Sequence, residues 1–158
     1  LRVPARRSAG LLLYRRKAGA VEILIAHPGG PFWAKRDEGA WTIPKGLIED
    51  GEAELDVARR EFHEETGHPA PVEGTFPLGD IQLRSGKAVA GWAAEGDLDP
   101  SAARSNLATV EWPPRSGRQI RVPEIDRVAW VSPDAARRLL NPAQAAFVDR
   151  LLVALERA

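Results

Sequence analysis

Three glutamates, Glu61, Glu64 and Glu65, constrain this chain more than any other feature in it. They lie near the end of the stretch GLIEDGEAELDVARREFHEETGH, residues 46 to 68, at positions i, i+3 and i+4. On a helix those positions share one face. Carboxylates so crowded repel one another unless a cation sits among them, and hard oxygen ligands at that density suit Mg²⁺ or Mn²⁺. The opposite face reads Leu55, Ala58 and Phe62, with Val57 at its margin, an apolar stripe at helical spacing. The helix is therefore expected to lie on a core with its acids turned toward a cleft. Asp50-Gly51 marks the turn before it, Glu52 and Glu54 place negative charge in its first turn, and Thr66-Gly67 supplies a left-handed stop. The plainer alternative is a solvated acidic face on which Arg59 and Arg60 pair with Asp56 or Glu64.

The spacing goes further. Gly46, Glu52, Arg60, Glu61, Glu64, Glu65 and Gly67 fall on every fixed letter of the pattern GX5EX7REUXEEXGU, where U is a bulky apolar residue. Phe62 fits the first U, and His68 departs from the last, which bears on packing at the helix exit. At about 7% per fixed position, chance alone gives on the order of one in 10⁸ for such a match. The stretch resembles the Nudix box. That resemblance implies an α/β Nudix fold, an α/β/α sandwich around a central mixed β-sheet, formed by residues 1 to 158 as one domain. It also implies Glu61 and Glu65 as the most direct metal ligands and Glu64 as ligand or base. Glu52 and Arg60 would hold loop and helix in register, and Gly46 would let the backbone bend close to the metal. The backbone carbonyl of Lys45, just before the box glycine, is a further metal ligand by the same resemblance.

Length and charge narrow the partners. The 158 residues suit one domain, and 22 basic residues balance 22 acidic ones. A neutral chain argues against a general binder of nucleic acid or of membrane surfaces. With no cysteine there is no disulfide framework, thiol nucleophile or Cys-based zinc site, which is compatible with a cytoplasmic setting. No apolar run approaches a membrane span, and the apolar part of LRVPARRSAGLLLY is too short for a signal peptide. There is no methionine, so the true start is expected before Leu1.

Taken in order, residues 8 to 14 and 21 to 27 read as paired strands around RRKAGA. His27 ends the second, as a structural residue or as a ligand contact. Residues 28 to 40 are a loop in which Phe32 and Trp33 neighbour Lys35 and Arg36, so aromatics could stack on a base while cations hold phosphate, or the aromatics could cap the core edge. WTIPKG, 41 to 46, reads as a short strand ended by Pro44, with the Lys45 ammonium a candidate phosphate contact. Residues 76 to 84 and 87 to 94 form a hairpin around Ser85-Gly86, from which Lys87 and Trp92 could reach the cleft. EWPPRSGRQIRV, 111 to 122, is loop-like and basic, so Arg115, Arg118 and Arg121 could clamp a polyphosphate or simply be solvated. Val128 to Val131 is a strand, Ser132 caps a helix from Pro133, and residues 142 to 157 form a last amphipathic helix with Phe147, Leu151, Leu152 and Leu155 inward. Glu124, six residues before Trp130, matches by resemblance a loop glutamate that acts as extra metal ligand or base. The alternative for it is a surface acid paired with Arg127.

The chemistry implied is Mg²⁺- or Mn²⁺-assisted attack of water on a phosphoanhydride in a nucleoside diphosphate linked to another group. The surroundings of the box resemble the diadenosine tetraphosphate hydrolases of the family. The only tyrosine is Tyr14, so Phe32, Trp33, Phe76 or Trp92 would have to stack the base. A nucleoside triphosphate hydrolase acting on oxidised nucleotides, and a catalytically silent nucleotide-binding module, are the other readings. A nucleotide is the expected partner, with the chain a monomer or a homodimer.

Overall fold

A computed structural model of the protein describes residues 6 to 157. The two ends of the expected 1–158 domain, and the first part of the basic lead-in, lie outside the described residues. The chain order is β1 (Arg7–Lys17), β2 (Ala20–Pro28), β3 (Lys45–Leu47), α1 (Glu54–Thr66), β4 (Phe76–Gln82), β5 (Ala88–Glu95), β6 (Leu107–Glu111), β7 (Gln119–Pro123), β8 (Ile125–Val131), α2 (Pro133–Leu139) and α3 (Ala145–Glu156).

Six strands make one mixed sheet in the order β4-β5-β1-β2-β8, with β3 beside β1. Strand β1 is its axis. It runs parallel to β5 along one side, while on the other side Ser8–Gly10 pair with β3 and Tyr14–Lys17 pair with β2, both antiparallel. A strand flanked on both sides and covered on both faces reads as a continuous apolar run, which is why AGLLLY is buried without alternation. Its odd and even residues serve two cores. Ala9, Leu11 and Leu13 meet Val57, Ala58 and Phe62 of α1. Leu12 and Tyr14 face the other way, toward Leu139 of α2 and Phe147, Val148 and Leu151 of α3. The result is the α/β/α sandwich expected. Among the described residues no helix is long and apolar enough to cross a membrane.

Several local expectations are corrected. The apolar stripe of α1 is centred on Val57, Ala58 and Phe62, all buried, and Leu55 stands at its edge. Helix α1 begins at Glu54 with Ala53 as its cap, so Glu54 and Asp56 supply the first-turn charge and Glu52 lies before the helix. Gly67 does close it, at φ 77°. Trp41 and Thr42 make only isolated bridges, and the short strand starts after Pro44, at Lys45. The stretch 111–122 is largely a hairpin tip between two real strands, β6 and β7, which form a separate two-stranded sheet. Both prolines of Trp112-Pro113-Pro114 fall in the tip, where no ladder hydrogen bond is lost. The Glu111 carboxylate accepts the Arg115 and Gly117 amides at 2.9 and 3.1 Å and holds that tip.

Candidate metal and phosphate site

Helix α1 brings Glu61 and Glu65 to the same side of the sheet, and the turn between β7 and β8 brings Glu124 to meet them. One carboxylate oxygen from each of the three lies within 4.8 Å of the others. Glu65 is buried, and its Oε2 has no hydrogen-bond partner. Burial, then the charges of Glu124 and Glu61, push its carboxyl up to about 9. Glu61 is also raised, by burial and then by Glu64, and Glu124 is raised by burial and then by Glu64. A protein rarely leaves a buried carboxylate oxygen orphaned among other acids. The donor set, all hard oxygens, fits a divalent cation of the Mg²⁺ type.

Gly46 explains how Glu61 gets there, and the reason differs from the bend expected. Its φ is not left-handed; instead, a Cβ on Gly46 would stand 2.1 Å from Cδ of Glu61. The glycine is a seat for the carboxylate. Gly46→Ala is accordingly expected to push Glu61 out of the cluster and weaken divalent-ion binding by about 10- to 100-fold, the scale of a lost supporting contact. Titration calorimetry with Mn²⁺ on the wild type and the variant measures it, and an unchanged affinity would refute the seat.

Glu52 and Arg60 do link loop to helix. Arg60 Nη1 is ion-paired with Glu52, whose other oxygen accepts the Glu49 amide at 2.9 Å. Arg60 also lies 3.7 Å from Glu61 and 3.9 Å from Glu64. Glu64 is half exposed and stays beside the three-carboxylate cluster, close enough for its charge to raise both Glu61 and Glu124.

Glu124 is positioned by backbone on both sides. Its amide donates to Asn106 O at 3.0 Å, and its carbonyl accepts the Gly29 amide at 2.9 Å. The Asn106 amide donates in turn to Glu64 O at 2.9 Å. Asn106 thus ties the last turn of α1 to the glutamate that completes the cluster. Arg127 does not pair with Glu124; it pairs with Asp126 at 3.1 Å and lies over the Trp41 ring, 5.1 Å from its centroid.

A cleft of about 290 Å³ opens onto the cluster, lined by Trp33, Trp41, Lys45, Glu65, Glu124 and Asn141 among others. Burial lowers the Lys45 ammonium, partly compensated by Glu65, and the charge of Lys87 lowers it further. Lys87 itself is exposed. Lys35 is exposed, and Arg115 and Arg118 sit exposed on the β6–β7 tip; none of these three lines the cleft. Of the aromatic candidates only Trp33 lines it. Phe32 is exposed beneath the Arg36 guanidinium, Phe76 packs edge-on against buried Tyr14, and Trp92 packs on the α1 side of the sheet.

Trp41, Asn141 and Gln144 were not singled out from sequence. Gln144 is buried, accepts the Ile43 amide at 2.9 Å and donates to Thr42 Oγ1 at 2.9 Å, so it fixes the segment that forms one wall. Only its place at the start of the last helix, beside Asn141-Pro142, hinted at a role there.

The chain is similar to known proteins. The chain is 29% identical over 143 residues to an 8-oxo-(d)GTP phosphatase of Mycolicibacterium smegmatis, covering 82% of this chain and 36% of that protein. It is 33% identical over 102 residues to an asymmetrical bis(5'-nucleosyl)-tetraphosphatase of Sus scrofa, covering 58% of this chain and 65% of that protein. The chain thus spans from about a third to just under two thirds of these relatives' lengths. The Ap4A hydrolase of C. elegans in a binary complex superposes with a TM-score of 0.63 at 22% identity, covering 97% of this chain and 99% of that one, a likeness of fold. The NUDIX domain matches residues 4–151, a span that takes in every strand of the sheet and all three converging carboxylates, and the chain belongs to that family.

Proposed function

We propose that the chain is a Mg²⁺-dependent pyrophosphohydrolase that cuts a phosphoanhydride in a nucleoside diphosphate linked to another group, with dinucleoside polyphosphates such as diadenosine tetraphosphate as preferred substrates. The observation that carries this is the convergence of Glu61, Glu65 and Glu124 beside a cleft whose lining includes Glu65, Glu124 and Lys45. Glu61, Glu65 and Glu124, with the Lys45 carbonyl, would hold Mg²⁺ or Mn²⁺. Such an ion supplies charge neutralisation of phosphate oxygens and a more acidic bound water.

The chain's own groups do the rest. Lys45 brings a cation to the phosphates in a site where burial strengthens its field. Glu64, exposed beside the cluster, is placed to take a proton from the attacking water. Arg60 and Glu52 keep the helix and the loop before it from parting under the repulsion of the acids. Trp33 offers a base a stacking face at the cleft wall. Lys35, Lys87, Arg115 and Arg118 remain outer candidates for the far end of a long polyphosphate.

These two relatives point two ways, and the 8-oxo-(d)GTP phosphatase of M. smegmatis shares the longer aligned stretch. Oxidised nucleoside triphosphates are the second reading for that reason. A panel of dinucleoside polyphosphates, nucleoside triphosphates and nucleotide sugars, assayed with Mg²⁺, separates them. The proposal expects highest kcat/KM on diadenosine tetraphosphate, with ATP and AMP as products. A preference for 8-oxo-dGTP favours the second reading. Tight nucleotide binding with no turnover anywhere in the panel would refute both.

A further inference from the structure

Outside the carboxylate cluster, one buried titratable side chain has both its polar atoms engaged. His27, at the end of β2, is fully buried. Its Nε2 lies 2.7 Å from the carbonyl oxygen of Arg36, which can only accept, so Nε2 carries a proton. Its Nδ1 lies 3.0 and 3.1 Å from the two carboxylate oxygens of Asp126. Arg127 Nη1 reaches the same corner, 3.4 Å from Nδ1 and 3.1 Å from Asp126 Oδ1. Both ring nitrogens are therefore engaged, and the ring is held in one orientation.

What this side chain holds is the 28–40 loop. The ring stands edge-on to Trp41 at 5.1 Å, and the Trp41 indole donates to Asp37 Oδ1 at 2.8 Å. Two successive loop residues are therefore pinned, Arg36 by its carbonyl to His27 at the end of β2 and Asp37 by its carboxylate to Trp41. The pin extends forward through the loop. Arg36 Nε donates to Phe32 O at 3.1 Å, its guanidinium covers the Phe32 ring at 4.2 Å, and Phe32 packs edge-on against Trp33 at 4.9 Å. Trp33 and Trp41 are both walls of the cleft.

The geometry points to His27 as a positioning residue for the nucleotide, a buried peg that keeps the aromatic wall of the cleft formed before substrate arrives. It touches neither the carboxylate cluster nor the cleft. A loop without helix or strand must otherwise be ordered by the ligand, and that cost appears as weaker binding. His27 makes no hydrogen bond to Glu61, Glu65 or Glu124, so the effect is expected on KM. What the wall recognises rests on the proposed nucleotide substrate; that His27 holds the wall does not.

The peptide bond after Arg36 is the one whose carbonyl His27 grips, and Lys35 and Arg36 are both exposed, so trypsin reports on the pin directly. In His27→Phe, cleavage after Lys35 and Arg36 is expected to speed up at least about tenfold, the scale of a buried carbonyl left without its donor. KM for the best nucleotide of the panel should rise by about five- to tenfold, as that same bond is lost from the wall, with kcat and Mn²⁺ affinity within about twofold. His27→Gln, which keeps one donor, should fall between. A lower melting temperature with unchanged cleavage and unchanged KM overturns the inference, as does a loss of kcat alone. Should the variants fail to fold, nitrogen NMR of the wild-type ring decides: a proton on Nε2 coupled across the hydrogen bond to the Arg36 carbonyl supports the peg, and an Nε2 without a proton overturns it. If the wild type turns over no nucleotide, the proposed reaction fails, while trypsin cleavage and the Nε2 proton still test the peg.

Discussion

Glu65→Gln is expected to cut turnover by at least about 10²-fold, the scale on which single groups that stabilise developing charge are valued, while making the metal-free protein more stable. Loss of function paired with a gain of stability separates a site residue from a core residue. Glu65 is buried, one of its oxygens has no partner, and Glu61 and Glu124 stand against it. Folding the metal-free chain at neutral pH requires that this carboxyl take up a proton, because it is held up to about 9 against an ordinary 4.5. From 4.5 to pH 7 that requirement amounts to roughly 3 kcal/mol. Glutamine is neutral at every pH and removes it, but still buries an oxygen short of partners, so the expected gain is roughly 1–3 kcal/mol. Denaturant unfolding at pH 7 in the presence of a chelator measures it, alongside phosphate release with Mg²⁺. A destabilised variant would mean that Glu65 serves packing, and an active one would remove it from the site.

The sequence disclosed the parts of the site that lie close together in the chain. Glu61 and Glu65 could be read as neighbours because a helix converts a four-residue spacing into a shared face, and Phe62 fixed which face was buried. The phase was slightly off. Leu55 is the larger apolar side chain, yet Val57 is the one buried with the residues of β1, on the same side of the helix as Ala58, Phe62 and Glu65. Long-range partners carried no such signal. Gln144 holds Ile43 from 101 residues away, and at the start of an amphipathic helix it looks like any solvated polar residue. Asn106 positions Glu124 through its backbone alone, which no side-chain identity reports. The β6–β7 hairpin was hidden by Pro113, Pro114, Ser116 and Gly117, whose punctuation is that of the tip and drowned the weak alternation of two half-exposed strands. Glu124 was found only through family likeness, since an isolated acid before a strand has no physical mark of its own.

The same buried proton sets how the wild type answers to pH. A carboxyl raised to about 9 stays protonated in the folded metal-free protein while the unfolded chain gives its proton up above 4.5. Between those values the folded state binds more protons, so metal-free stability falls as pH rises through that window and levels off above it. Glu61 and Glu124, raised by burial and by Glu64, add to the fall at its acidic end. Lys45, whose ammonium burial disfavours, opposes it at the alkaline end. A divalent ion needs the ionised carboxylate, so binding must drive the Glu65 proton out. Each unit of pH below about 9 then weakens metal affinity by up to tenfold, and affinity at pH 7 should be about fiftyfold below that at pH 9. Calorimetry of Mn²⁺ binding at pH 7, in two buffers of different ionisation enthalpy, should find about one proton released per ion bound. Zero release would mean that the cluster is already ionised, and that repulsion among the three acids is relieved by some group other than a proton on Glu65.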